Sequence, residues 1–358
     1  MSRFFSSRFS SLKPYVPGEQ PRDTVYIKLN TNESPFPPEE KVIQAVREEA
    51  DKLRLYPDPT GLKLREALAA CYGFSADNYL LGNGSDEVLF LAILAFCDAE
   101  HPMVCPELSY GFYPVLADLC GIERKTVPLK GDFSMDPEGF LKEKGMIVLA
   151  NPNAPTGIEL QTDQIERMLR SDPDRLVLVD EAYVAFGAKS CLPLLKQYDN
   201  LLIVRTFSKS HSLAGARLGF AAGAADVIRD METVRNSFHP YNINRMTMAA
   251  GVAALKYEEI FRQNAGIIIK NREMTREALQ KMGCLVLPSK ANFLFASPPD
   301  GRGEDWYRNL KAKGILVRWF ADKKTAPFIR ISIGTQEQMK AFLKASKEYI
   351  EEADHEKS

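Results

Sequence analysis

The segment Thr206-Phe207-Ser208-Lys209-Ser210-His211-Ser212-Leu213-Ala214-Gly215-Ala216-Arg217 places a lysine directly after a serine and an arginine eight residues further on. The apolar run Leu201-Leu202-Ile203-Val204 leads into it and predicts a buried strand. A lysine in a hydroxyl-rich loop at a strand end is poorly suited to a core and well suited to chemistry. Sheltered from bulk water, its amine is partly desolvated and can attack a carbonyl. Thr206, Ser208 and Arg217 add two hydroxyls and a guanidinium, a set that suits a phosphate dianion. Taken alone, the segment reads equally well as a solvated surface loop, so its meaning depends on the rest of the chain.

Three other strand ends carry unusual residues. Gly82-Asn83-Gly84-Ser85-Asp86-Glu87 is a glycine-flanked turn into a helix, expected to be capped by the serine or aspartate. Free N–H groups at such a helix start hold an anion, provided the two acids point away. Asn151-Pro152-Asn153-Ala154-Pro155-Thr156-Gly157 follows the strand ending at Ala150. It is either a plain proline turn, with room for a cis X–Pro bond, or the source of an asparagine donor to a phenolate oxygen. Val179-Asp180-Glu181-Ala182-Tyr183 ends another apolar strand. An aspartate there is costly to bury without a cation, and a protonated pyridine nitrogen is one such cation. At ~4 Å and an effective dielectric of ~20 the pairing is worth on the order of 4 kcal/mol. The alternative for this segment is an N-cap aspartate with a core tyrosine. Jointly the four sites offer an amine, a phosphate cradle, an acid for a ring nitrogen and donors for a phenolate, which is what pyridoxal phosphate requires.

These residues need a scaffold of alternating strands and helices. Helices are expected over residues 39–53, 62–71, 85–96, 113–119 and 162–169. Strands are expected over 103–105, 122–128, 146–150, 176–179, 201–204 and 218–221. Buried β-branched runs between helices imply an α/β fold with a mostly parallel sheet covered on both faces. Ligands collect at the carboxyl ends of such strands. Beyond about residue 245, long helices through residue 281 precede short strands near 284–287, 293–295, 315–317 and 328–331. The expected division is an extended arm (1–35), a large domain (36–245) and a smaller α+β domain (246–358), with residues 351–358 frayed.

Bulk properties exclude several partners. Lysine plus arginine (46) nearly cancel aspartate plus glutamate (47), leaving a net charge of −1 in 358 residues. That balance gives no reason to expect a nucleic acid or an anionic membrane as partner, and no apolar run reaches the ~20 residues of a membrane helix. Cys71, Cys97, Cys105, Cys120, Cys191 and Cys284 have no Cys-x-x-Cys spacing and read as small buried residues of a reducing compartment. With four scattered histidines, no metal site is expected. Residues 1–13 are basic, serine-rich and free of acids, as in a targeting peptide. Their brevity favours a cytoplasmic enzyme.

In combination the motifs resemble fold-type I pyridoxal-phosphate aminotransferases, most closely the histidinol-phosphate aminotransferase family. The carriers are Leu29-Asn30-Thr31-Asn32-Glu33-Ser34-Pro35, Tyr56-Pro57-Asp58, the Gly82–Glu87 turn, Ser109-Tyr110, Pro155-Thr156-Gly157, Asp180 with Tyr183, Ser208-Lys209, Arg217 and Arg330. The resemblance implies a seven-stranded sheet between helices and Lys209 as Schiff-base lysine and proton shuttle. It implies that Asp180 pairs with the pyridine nitrogen, Tyr110 stacks on the ring and Tyr183 binds the phenolate. Ser85 and Asp86 amides, Thr206, Ser208 and Arg217 would hold the phosphate. Tyr56 would reach the partner subunit's cofactor in a homodimer. Arg330 would bind the substrate anion, assisted by Arg318, Tyr15 and Asn32. The family has asparagine before Pro-Thr-Gly where this chain has Ala154, so either Asn153 takes over its hydrogen bond, which is the expectation here, or Tyr183 acts alone.

The expected reaction is a ping-pong transfer of an amino group from histidinol phosphate to 2-oxoglutarate. An aromatic amino-acid aminotransferase and a threonine-phosphate decarboxylase share the resemblance. A non-catalytic binding protein on the same scaffold would have no use for Lys209.

Overall fold

The computed structural model describes residues 2–21 and 25–355. Its elements begin with β1 (Ile27–Lys28), α1 (Glu40–Ala50), α2 (Leu62–Tyr72), β2 (Tyr79–Asn83), α3 (Ser85–Phe96), β3 (Met103–Pro106) and α4 (Phe112–Cys120). Next come β4 (Arg124–Val127), α5 (Pro137–Lys142), β5 (Met146–Ala150), α6 (Thr162–Ser171), β6 (Val177–Asp180), β7 (Leu201–Thr206), β8 (Leu218–Gly223) and α7 (Ala225–Phe238). The chain continues with α8 (Arg245–Lys256), α9 (Glu258–Lys281), β9 (Leu285–Val286), β10 (Phe293–Ser297), α10 (Gly303–Ala312), β11 (Ile315–Leu316), β12 (Arg318–Trp319), β13 (Ile329–Ser332) and α11 (Gln336–His355).

Seven strands form one sheet in the order β2-β8-β7-β6-β5-β3-β4. Only β8 runs against its neighbours. The strands are apolar on both faces because helices cover both. Ile147, Leu149, Val177, Val179 and Ile203 pack into one core. The alternating Met146, Val148, Leu178, Leu202 and Val204 pack into another on the opposite face. Register then fixes the functional edge. Ala150 pairs with Asp180, Asp180 with Val204, and Thr206 with Gly219. The loops carrying Ser85, Ala154, Tyr183 and Lys209 therefore leave the same edge of the sheet.

A second, antiparallel sheet has the order β12-β13-β10-β9 and packs its apolar face with Trp306, Leu310 and Phe342. The arm is less free than its composition suggested. β1 pairs in parallel with β11, Ile27 opposite Ile315 and Lys28 opposite Leu316. A two-residue strand leaves no periodicity to read. Three other expectations are corrected. The helix expected to run to residue 53 stops at Ala50, and the apolar Leu53 is exposed. Cys71 is exposed and Cys120 half-buried, while the other four cysteines are buried, and all six are free thiols. The tail expected to fray is helical through His355, with Ile350 and Ala353 packed inward; residues 356–358 lie outside the described residues.

Candidate active site

At the common strand edge lies a cleft of about 420 Å³. Its walls include Tyr15, Asn32, Ser85, Asp86, Tyr110, Asp180, Tyr183, Thr206, Ser208, Lys209, Arg217, Arg318 and Arg330. Thirteen of the fifteen residues singled out in the sequence thus meet in one place, drawn from the arm, the large sheet and the C-terminal sheet. A larger hollow, about 620 Å³, lies elsewhere between α1, α8 and residues 57–61. It gathers no comparable set of groups.

Lys209 leaves the end of β7 and turns across the cleft. Its Nζ donates to the carbonyl of Thr31 at 3.3 Å and lies 5.9 Å from the centre of the Tyr183 ring. Beside it, Thr206 Oγ1 donates to Ser208 Oγ at 2.9 Å. Arg217 takes a left-handed backbone, φ 53°, and its Nη2 reaches Asp86 Oδ2 at 3.0 Å.

α3 starts differently from expectation. Gly84, not a serine or aspartate, stands at the cap, and no side chain caps the helix. Gly84 has φ 80°, and a Cβ there would lie 2.5 Å from Arg217 Nη2. A Cβ on Gly219 would lie 2.4 Å from the Ser85 nitrogen. The two glycines let the helix start, β8 and Arg217 converge, and leave the first N–H groups of the helix without a side-chain cap. The acids that could oppose an anion are engaged. Asp86 also accepts from the Tyr110 hydroxyl at 2.9 Å, and Glu87 accepts from Asn83 N–H and Asn242 Nδ2, both at 2.6 Å.

Asp180 is buried, 4% exposed. Ala182 N–H donates to its Oδ1 at 3.0 Å and the Tyr113 hydroxyl to its Oδ2 at 3.0 Å. Burial nevertheless dominates and pushes its pKa up to about 6, against the opposing pull of those two hydrogen bonds. Tyr113 was not among the expected site residues. Helix α4 hid it as one more buried aromatic, and only the fold shows that its hydroxyl turns toward Asp180.

Arg330 projects from β13 between the faces of Phe293 and Phe320, with its guanidinium carbon 5.4 and 5.6 Å from the ring centres. One Nη donates to the carbonyl of Asn30 at 3.0 Å, while its buried Nε has no partner among the described residues. Burial pulls its pKa below the usual guanidinium value. A charged donor left partly unpaired beside a cleft favours an anionic ligand. Arg318 flanks the same wall and donates to the carbonyls of Val16 at 3.1 Å and Pro17 at 3.2 Å. It thereby ties the arm across the opening, and Tyr15 packs edge-on to Tyr110 with ring centres 6.0 Å apart.

Two expected residues are not in the cleft. Asn153 is buried behind it. Its Nδ2 donates to Leu108 O at 3.1 Å and to Thr156 Oγ1 at 3.2 Å, and its Oδ1 accepts from Ser109 Oγ at 2.7 Å. Every polar atom of that amide is committed to its own turn or to the neighbouring Leu108–Ser109 loop, and the turn contains cis bonds before Pro152 and Pro155. Ala154 faces the cleft in its place, so Asn153 does not supply the missing donor. Tyr56 is 80% exposed and stacks on Tyr241 with ring centres 4.7 Å apart, away from this chain's own cleft.

The geometry can be set beside known proteins. The model of the aminotransferase class I and II family matches residues 24–345. A histidinol-phosphate aminotransferase of a Marinomonas species is 46% identical, over 97% of this chain and 99% of that protein. One from Clostridium botulinum (strain Okra) is 42% identical, over 98% and 99%. Among solved structures, histidinol-phosphate aminotransferase from Sinorhizobium meliloti in complex with pyridoxal-5'-phosphate superposes with a TM-score of 0.88. It is 26% identical and covers 99% of both chains.

Proposed function

Because the chain belongs to the class I and II aminotransferases, and among them to the histidinol-phosphate aminotransferase family, we propose that its amino donor is histidinol phosphate and its acceptor 2-oxoglutarate. That it is a pyridoxal-phosphate-dependent transaminase of fold type I follows from the family itself. The substrate reading is carried by one observation: Arg330, with its orphaned Nε, shares a wall of the cleft with Arg318. Two guanidiniums suit a phosphate dianion better than one does.

The residues present fit the cofactor. Asp180 is a carboxylate whose pKa is raised by burial, and a protonated ring nitrogen is a cation that would favour its charged form. The uncapped start of α3, Arg217 and the Thr206–Ser208 hydroxyl pair form a phosphate site at a helix N-terminus. When bound, pyridoxal phosphate supplies an electron sink for charge developing at the substrate carbon.

This chain's own groups do the rest. Lys209 Nζ would hold the cofactor and, once a substrate amine took its place, would take the proton from the substrate carbon and deliver it to the cofactor's aldehyde-derived carbon. Asp180, which accepts from Ala182 N–H and the Tyr113 hydroxyl, would pair with the protonated ring nitrogen and hold its proton in place. Tyr183 would donate to the phenolic oxygen, and Tyr110 would lie against the ring; both line the cleft. Arg330 orients the substrate anion, with Arg318, Tyr15 and Asn32 beside it. Arg318 ties the arm at the opening of the cleft.

The functional unit in this reading is a cytoplasmic homodimer. Exposed Leu53, Leu55, Tyr56 and Leu62 support it, as does the adjoining hollow between α1 and α8. An apolar patch of this kind marks an interaction surface, and Tyr56 would reach the partner's cofactor phosphate. In this reading residues 36–245 belong to the cofactor-binding domain together with α8, whose Ala250, Ala254 and Leu255 pack into the core of the large sheet, and the smaller domain follows. Among the described residues no helix is long and apolar enough to cross a membrane. The deciding experiment compares histidinol phosphate, phenylalanine and threonine phosphate as substrates. Turnover with histidinol phosphate far above phenylalanine supports the reading. Preference for phenylalanine, or carbon dioxide release from threonine phosphate, would replace it.

A further inference from the structure

Ala154 puts a methyl group where the cleft could have had an amide, and Asn153 is spent on its own turn and on the Leu108–Ser109 loop. The burden of a polar contact at that end of the cleft falls on Tyr183. Its hydroxyl is not free to choose its role. Asn32 Nδ2 lies 3.0 Å from the Tyr183 oxygen and donates to it.

The orientation of the Asn32 amide is fixed by a closed set of bonds. Asn32 N–H donates to Ser332 Oγ at 2.8 Å. The Ser332 hydroxyl, already an acceptor, donates its own hydrogen to Asn32 Oδ1 at 2.8 Å. With Oδ1 facing Ser332, the NH₂ group must face Tyr183. Asn292 Nδ2 donates to the Asn32 carbonyl at 2.9 Å and anchors the backbone. Asn32 is 1% exposed and holds a left-handed conformation, φ 56°, which asparagine and aspartate tolerate better than other side chains with a Cβ. A tyrosine oxygen that accepts from behind directs its hydrogen away from that donor, into the cleft.

We propose that Ser332 and Asn32 are positioning residues that hold Tyr183 as a hydrogen-bond donor toward the anionic ring oxygen of the bound cofactor. The proposal rests on the cofactor reading of the cleft given above. Polarity runs one way along the chain, from Ser332 to Asn32 to Tyr183 to the ring oxygen. Asn32 thereby acts on the cofactor through Tyr183. Without this bias the Tyr183 hydrogen could turn back toward the arm, and the ring oxygen would lose its donor.

The test is a pH titration of the visible absorbance band of the cofactor-loaded protein, with circular dichroism confirming the fold. Asn32→Asp keeps the backbone preference but turns the amide donor into a carboxylate acceptor, so Tyr183 should donate backwards. The titration midpoint should rise by about one unit, a tenfold gain in proton affinity. Ser332→Ala adds no charge and should move the midpoint less, in the same direction. Both shifts should largely vanish in a Tyr183→Phe background, where no hydroxyl remains to be oriented. An unmoved midpoint in folded, cofactor-loaded Asn32→Asp and Ser332→Ala overturns the proposal. So do shifts of equal size with and without the Tyr183 hydroxyl, since Asn32 would then act by charge alone. A wild-type protein that shows no cofactor band overturns instead the assignment of the cleft to the cofactor.

Discussion

The hydroxyl of Tyr113 donates to Asp180 Oδ2 at 3.0 Å, joining α4 to the end of β6 in the interior of the molecule. Both residues are buried, so neither group can be satisfied by water instead. The bond stabilises the charged carboxylate, the form that pairs with a protonated ring nitrogen. Tyr113→Phe removes it at almost constant shape. Hydrogen bonds to charged groups are worth about 2 kcal/mol, so cofactor affinity should fall on the order of thirtyfold. Fluorescence titration of the apoprotein with pyridoxal phosphate checks this, and unchanged affinity would contradict it.

Asp180 also makes the stability of the apoprotein depend on pH in an unusual direction. Its folded-state pKa is raised to about 6 from an ordinary 3.8. Between those values the folded protein binds a proton that the unfolded chain does not. The group's favourable contribution is complete below the unfolded value and is lost as pH rises through the folded one. A shift of about two units corresponds to about 3 kcal/mol. Asp180→Asn should therefore raise the apoprotein's Tm at about pH 8 and flatten its decline between about pH 4 and 7, while weakening cofactor binding. Thermal melts of both apoproteins across that range measure it.

Arg330 and Arg318 should separate two kinds of anion recognition. Arg330→Ala leaves any substrate anion without its central partner, and kcat/KM should fall at least a hundredfold with both substrates, a loss of about 3 kcal/mol. Arg318→Ala also releases the carbonyls of Val16 and Pro17. Its effect should be greater on KM for histidinol phosphate than on KM for glutamate in the reverse reaction. Steady-state kinetics with the two substrates decide it, and an equal effect on both would leave Arg318 a clamp for the arm alone.

Tyr56, exposed and away from this chain's own cleft, should act across a dimer. Tyr56→Ala and Lys209→Ala proteins should each have low activity. Mixed and allowed to exchange subunits, they form hybrids with one site carrying both defects and the other neither. Activity should recover toward about a quarter of wild type under random pairing. Absence of recovery, with exchange confirmed by mass, would place Tyr56 outside the partner's site.

Much of this site could be read before the fold was known, because its chemistry sits at the ends of apolar strands. The runs ending at Ala150, Asp180 and Val204 announce buried strands, and the residues following each are too polar for a core. Parallel pairing then brings them to one edge, whatever their distance in sequence. What could not be read depends on side-chain direction. Nothing in the sequence tells that Asn153 turns into its own loop while Ala154 faces the cleft, since the two are adjacent in an irregular turn. Nor does it show that Tyr113 leaves a helix toward Asp180, or that Ser332 and Asn32, 300 residues apart, close a ring of hydrogen bonds. α7 was missed although Ile228 and Met231 recur at helical spacing, and β1 because two residues carry no period.

The central claim is that Lys209 is the residue that holds the cofactor. Reduction of the pyridoxal-phosphate-loaded protein with borohydride fixes that attachment, and peptide mass mapping locates it. The added mass should fall on Lys209 and be absent from Lys209→Ala. Attachment to another lysine, or none to a protein that turns over, would contradict the account.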